Sequence, residues 1–202
     1  MRLGLLGGTF DPVHYGHLLL AECAREQCRL DQVWFMPAAT PPHKLEQAIT
    51  PVEERIEMLE LAVAGNPALV VSRLEAERGG VSYTVDTLAQ LAAADPAREL
   101  FLLLGADSLA DLPHWRHPAE ICRLAIPAVV RRASQQLDYG PLAPLVGTER
   151  LELFRRHQIE MPLVELSSRE LRSRIAHGQS IHYRTPRAVE KYIETHNLYR
   201  GA

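Results

Sequence analysis

Residues 3–17 read Leu3-Gly4-Leu5-Leu6-Gly7-Gly8-Thr9-Phe10-Asp11-Pro12-Val13-His14-Tyr15-Gly16-His17. The apolar run from Leu3 to Leu6 closes on a glycine pair, which suits a strand buried on both faces of a parallel sheet. Leu18, Leu19, Leu20, Ala21 and Ala24 then fit a helix that begins near Tyr15. Gly7 and Gly8 remove side chains where the strand turns, so a polyphosphate can approach the backbone. Thr9 supplies a hydroxyl, and backbone N–H groups around Phe10 can point at an anion. The N-terminus of the following helix carries roughly half a positive charge. His14 and His17 sit at that helix start and can face the same phosphate. The alternative is a tight turn with surface histidines. Two histidines within a glycine-led turn at a helix start favour the anion site. Asp11 reads mainly as a turn residue.

Outward from this segment, strands and helices alternate. Val33 to Met36 reads as a strand stopped by Pro37, and residues 38–50 as a loop. Pro51 opens a helix at its first turn, where a missing N–H costs nothing. Leu69 to Ser72 is a short strand, Ser82 to Ala94 a helix, and Leu100 to Leu104 a buried strand ended by Gly105. Leu124 to Val130 is a strand candidate whose middle is demoted by Pro127. Residues 133–150 read as irregular, and Leu163 to Leu166 as a last short strand. Helices follow from about Ser168 to His177 and from Arg187 to His196. This alternation predicts a doubly wound, mostly parallel α/β sheet with helices on both faces and right-handed crossovers. A small C-terminal helical part is expected at about 167–202, within a single domain spanning 1–202. Ligands of such sheets bind outside the carboxyl ends of the strands, where Gly7 and Gly105 both end a strand.

Bulk properties narrow the class. The net charge of −3 over 202 residues argues against a nucleic-acid-coating protein. Cys23, Cys28 and Cys122 form neither a C-x-x-C pair nor a disulfide framework and read as small buried residues of a cytoplasmic protein. No apolar run approaches the roughly 20 residues of a membrane span. The spacing of His14 and His17 is not H-E-x-x-H, so zinc is disfavoured and no metal ligand is expected. Walker A and G-x-G-x-x-G patterns are both missing from the sequence.

A second phosphate element lies late in the chain, at Leu166-Ser167-Ser168-Arg169-Glu170-Leu171-Arg172. Two serines can cap a helix while presenting donors, with Ser168 the expected N-cap. Arg172, one turn on, can add a charge-assisted contact. With His14-Tyr15-Gly16-His17, this element resembles the nucleotidyltransferase superfamily that carries an H-x-G-H motif and a serine-rich turn of the form I-S-S-T-x-I-R. Arg169 departs from that pattern in place of threonine, as do Leu166 and Leu171 in place of isoleucine. Within the superfamily the chain is most similar to the bacterial nicotinate-nucleotide adenylyltransferase family. That likeness rests on Pro41-Pro42-His43-Lys44, Ser82-Tyr83-Thr84, Leu104-Gly105-Ala106-Asp107-Ser108, Trp115, Ile121 and the closing Leu198-Tyr199-Arg200.

The resemblance implies a Rossmann-like fold, ATP and nicotinate mononucleotide as substrates, Mg²⁺ with the ATP, and no nucleic acid or membrane partner. It places Gly7, Gly8, Thr9, Phe10, His14 and His17 on the ATP phosphates, and Gly105 and Asp107 beside the adenosine. Ser167, Ser168 and Arg172 close the phosphate site. Lys44 approaches the reacting phosphates, while Thr84 and Trp115 belong to the mononucleotide side. Each has an alternative: Lys44 a solvated loop lysine, Trp115 a core tryptophan, Asp107 a helix cap and Thr84 a packing residue. Arg131 and Arg132 read either as a solvated pair or as flanking the triphosphate. No side chain is arranged as an activated nucleophile with its own base. Adenylyl transfer would then proceed by positioning and charge stabilisation, with His14, His17, Lys44 and Arg172 as positive donors. The competing readings are a phosphopantetheine adenylyltransferase and a module that senses ATP or NAD without turnover. Preference for nicotinate over nicotinamide mononucleotide, and whether the chain forms homo-oligomers, stay open.

Overall fold

The opening apolar run becomes β1 (Arg2–Gly8), whose Leu3, Leu5 and Leu6 are buried, and it lies at the centre of the sheet. The other strands are β2 (Gln32–Pro37), β3 (Leu69–Val71), β4 (Glu99–Leu104), β5 (Ala125–Arg131) and β6 (Gln158–Glu160). The structure is a computed structural model and describes residues 1–42, 48–131 and 136–200. These six strands form one sheet in the order β3-β2-β1-β4-β5-β6, and every pairing is parallel. From β1 the chain winds outward one way through β2 and β3, then returns to the other side of β1 and winds outward through β4, β5 and β6. With right-handed crossovers, that reversal sends the helices of the two halves to opposite faces. It leaves a crevice between the carboxyl ends of β1 and β4.

The helices are α1 (Tyr15–Gln27), α2 (Val52–Val63), α3 (Leu74–Arg78), α4 (Thr84–Ala94), α5 (Ala106–Asp111), α6 (Pro118–Leu124), α7 (Ala143–Val146), α8 (Thr148–Arg156), α9 (Ser168–Ala176) and α10 (Arg187–Thr195). Pro51 stands at the N-cap of α2 rather than inside its first turn, and Glu53 and Glu54 meet the positive end of that helix. Pro127 lies within β5, opposite Leu102 of β4. Val129 donates its N–H toward the β6 side, to the His157 carbonyl. In a strand, alternate residues face the same neighbour, so the missing N–H of Pro127 falls just before β6 begins and breaks no ladder bond.

Two expectations fail here. The last strand is Gln158–Glu160, not Leu163 to Leu166. Ile159 is fully buried while Leu163 is 67% exposed, and Pro162, lacking an N–H, follows the end of β6. The stretch expected to be irregular includes α7 and the start of α8, whose Leu151 and Phe154 recur at i, i+3 and are buried. At the outer edge of β6, the Gln27 amide donates to the Glu160 carbonyl at 2.7 Å and accepts its N–H at 2.9 Å.

Candidate nucleotide site

The site is built where β1 and β4 diverge. A Cβ added at Gly7 or at Gly105 would meet nothing within 4 Å, so both glycines border open space. The loop after β1 does not bulge into solvent: Phe10, Asp11, Pro12, Val13 and His14 are all buried. Phe10 adopts φ +50°, and its ring packs edge-on against His17 and tilted against Phe35, at centroid distances of 5.0 and 5.6 Å. The Phe10 side chain is therefore core, and only its backbone is available to a ligand. A Cβ on Gly8 would come within 2.8 Å of that ring, so close packing accounts for this glycine.

His14 caps α1 with extended backbone, and its N–H donates to Nδ1 of His17 at 3.2 Å. The two imidazoles stack at 3.7 Å with 20° between their planes. Gly16 lies under this pair, because a Cβ there would meet the His14 ring at 3.0 Å. The motif spacing thus has a local cause: the first histidine folds back over the glycine and onto the second. Since Nδ1 of His17 accepts a backbone hydrogen bond, the neutral ring carries its proton on Nε2. Burial lowers His14 from 6.5 to about 4. Burial, then the neighbouring His14, holds His17 well below its ordinary value. The expectation of two positive donors is therefore corrected: in the unliganded chain both rings are neutral, and His17 presents an uncharged N–H.

The loop is held from behind by residues far away in sequence. Ser168 Oγ donates to the Pro12 carbonyl at 2.8 Å, and Arg172 donates to the Asp11 carbonyl at 2.6 Å. Thr185 Oγ1 donates to the Val13 carbonyl at 2.8 Å. Tyr199 donates its hydroxyl to the Asp11 carboxylate at 2.6 Å, and Arg172 stands 4.0 Å from the same group. Asp11 is only 4% exposed, so it is a buried charge with partners rather than a plain turn residue. The N-cap of α9 is Ser167, not Ser168: Ser167 Oγ accepts the Glu170 N–H at 3.1 Å. This frees the Ser168 hydroxyl to reach the loop, which brings the N-terminus of α9 to the same turn as that of α1. The side chain of Arg172 is 36% exposed.

A second cluster lies at the start of α4, beside the exit of β2. Ala39 donates its N–H to Ser82 Oγ at 3.0 Å, and Ser82 donates its N–H to the Thr40 carbonyl at 3.0 Å. The exit of β2 is thereby tied to the start of α4, where Thr84 is half-buried. The Arg116 guanidinium covers the Tyr83 ring at 4.6 Å and stands 3.8 Å from Asp86, so the segment carrying half-buried Trp115 lies against the same helix end. Asp107 is exposed in the first turn of α5, just after Gly105. Arg131 ends β5 and is paired with Glu160, beside a cavity of about 350 Å³ lined also by Met161 and Pro162. Lys44 and Arg132 lie outside the described residues. Buried Arg55, described below, is a site neighbour that the sequence pattern did not reveal. Among the described residues no three His, Cys, Asp or Glu side chains are grouped to hold a metal ion.

The sheet, its switch point and the stacked histidine pair define a nucleotidyltransferase, and the cytidylyltransferase-like family model matches residues 5–174. A probable nicotinate-nucleotide adenylyltransferase of Roseiflexus sp. (strain RS-1) is 47% identical over 200 residues, covering 98% of each chain. One of Thermus thermophilus is 46% identical, covering 99% of this chain and 100% of that one. The chain belongs to the nicotinate-nucleotide adenylyltransferase family. The fold also matches the solved nicotinic acid mononucleotide adenylyltransferase of Plasmodium falciparum complexed with NaAD. That match has a TM-score of 0.78 at 18% identity and covers 98% of this chain and 97% of that one.

Proposed function

We propose that the chain transfers the adenylyl group of ATP to the 5′-phosphate of nicotinate mononucleotide, releasing pyrophosphate and forming nicotinate adenine dinucleotide. One observation carries the reading. At the turn where the N-termini of α1 and α9 meet, His17 is locked by the His14 N–H into the tautomer that donates from Nε2. Helix N-termini favour anions, and a preorganised neutral donor can follow charge as it develops on a phosphoryl oxygen.

The chemistry asks little else of the protein. The attacking phosphate is already an anion and needs no general base. The α-phosphorus of ATP gains its oxygen as the bond to the bridging oxygen of pyrophosphate breaks. His14 and His17 donate to phosphoryl oxygens, Arg172 and Ser167-Ser168 border the same anion, and Gly7 lets it approach the backbone. On the acceptor side, Thr84 and Trp115 receive the mononucleotide, Trp115 offering a face to the pyridinium worth about 0.5–2 kcal/mol. Asp107 accepts from ribose hydroxyls, and the family resemblance adds Lys44 as a further positive donor. Magnesium fits this arrangement without a protein cage, because it keeps waters and takes substrate phosphates as ligands. Held by the ATP phosphates, it would supply positive charge to the leaving pyrophosphate beside Arg172.

The test is pyrophosphate release with ATP and Mg²⁺ and three acceptors in turn: nicotinate mononucleotide, nicotinamide mononucleotide and phosphopantetheine. The highest kcat/KM is expected for the first. ATP binding with no product from any acceptor would establish the sensing module instead.

A further inference from the structure

Among the described residues Arg55 is the largest side chain buried almost completely, at 1% exposure, although it sits on the apolar face of α2. Its guanidinium reaches backbone carbonyls of three separate segments. Nε donates to Thr50 at 2.8 Å, one terminal nitrogen donates to Thr9 at 2.8 Å, and the other to Ala38 at 2.8 Å with Ala39 at 3.4 Å. Burial lowers the guanidinium's pKa, and nearby Asp11 acts in the opposite direction. Burying a charge costs several kcal/mol, so an apolar side chain would fill the same space at lower cost if packing were the whole purpose. What an apolar residue could not do is hold two chain segments at a fixed separation through one rigid planar fork.

The two segments are the two halves of the site. Thr9 belongs to the loop after β1 that carries His14. Ala38 and Ala39 belong to the loop after β2, which continues through the Ala39 to Ser82 bond into the start of α4 and Thr84. We propose that Arg55 is a positioning residue for the transfer step, its guanidinium fixing the spacing between the donor loop at Thr9 and the acceptor loop at Ala38. The inference rests on the adenylyl-transfer reading. Each half-site is complete without Arg55, since the histidine pair, α9 and Tyr199 brace the donor loop while Ser82 braces the acceptor loop. Up to Gly8 their distance is set by the β1–β2 pairing and by the Ala38 N–H donated to the Gly8 carbonyl at 3.0 Å; from Thr9 onward the fork adds a side-chain tie between them.

The experiment compares wild type with Arg55→Lys, which keeps the charge and loses the fork. Binding of ATP, of nicotinate mononucleotide and of the dinucleotide product is measured separately by calorimetry, with kcat taken per binding-competent site. ATP and mononucleotide should bind with near wild-type affinity. The product, which spans both loops, should lose about tenfold or more in affinity, and kcat should fall about 100-fold, the scale of an ångström of misplacement. A general loss of structure would lower the binding-site count and leave the per-site values intact. Wild-type kcat and product affinity in Arg55→Lys would overturn the proposal, as would equal weakening of all three ligands. Should that variant fail to fold, Arg55→Gln, which removes the charge and leaves a planar amide too short to span both loops, should give the same pattern. Wild-type product affinity and kcat in Arg55→Gln would likewise overturn it. A wild-type chain that makes no dinucleotide would instead sink the reading of the reaction.

Discussion

Replacing His14 with glutamine should change how stability responds to acid. In the native chain the His14 imidazole is 6% exposed and titrates at about 4, against 6.5 in an unfolded chain. Between those values the unfolded state binds a proton that the folded state refuses, so stability falls as pH falls. The contribution is fully present above pH 6.5 and gone near pH 4. At about 1.4 kcal/mol per pH unit, the shift amounts to about 3 kcal/mol. His14→Gln removes this term together with the smaller, His14-dependent part of the His17 depression, while the burial of His17 is kept. Urea unfolding at a series of pH values from 7 to 4 reads the difference directly. The wild type should lose about 3 kcal/mol more than the variant across that window. Parallel stability curves would refute the reasoning, because they would mean that His14 is already protonated, or free to become so, in the folded chain.

Other consequences follow from the bracing of the donor loop. Tyr199→Phe leaves the buried Asp11 carboxylate short of a donor, which should cost about 1.5–3 kcal/mol and lower the melting temperature by about 4–10 °C in scanning fluorimetry. An unchanged melting temperature would mean that water replaces the hydroxyl. Gly16→Ala pushes a methyl to 3.0 Å from the His14 ring, so kcat should drop about tenfold or more while the fold survives. Steady-state rates set beside circular dichroism check this. Arg172→Lys loses the fork at the exposed end of the donor site and should raise the KM for ATP with little change in that for the mononucleotide. Matched changes in both KM values would argue against the placement of Arg172.

The alternation of apolar runs carried the sheet and its parallel sense, because buried parallel strands must be apolar on both faces, as in Leu100 to Leu104. The motif at His14 to His17 was legible for a related reason: its residues touch one another within one helical turn. What escaped was set by distant partners. Nothing local distinguishes Asp11 from an ordinary turn aspartate, since its partner Tyr199 is 188 residues away. Arg55 follows two glutamates on a helix and reads as a solvated charge, while two of its carbonyl partners, Thr9 and Ala38, lie 46 and 17 residues before it. The last strand was misplaced because Leu163, Val164 and Leu166 look more strand-like than Gln158-Ile159-Glu160. Pairing with β5 needs only the single buried position of Ile159. Ser167 took the capping role from Ser168 because Ser168 had the Pro12 carbonyl to reach.

The turn that begins the site leaves the ribosome long before its braces do. Ser168, Arg172, Thr185 and Tyr199 reach back 156, 161, 172 and 188 residues to Pro12, Asp11, Val13 and Asp11. A nascent chain can form the first strand and helix soon after they emerge, yet the nucleotide cradle has no back wall until α9 and α10 arrive. On the proposed reading, competence to hold ATP is thereby delayed until those late helices are made. A ribosome-stalled or clipped chain ending before α9 would keep much of its sheet without becoming a sink for nucleotide.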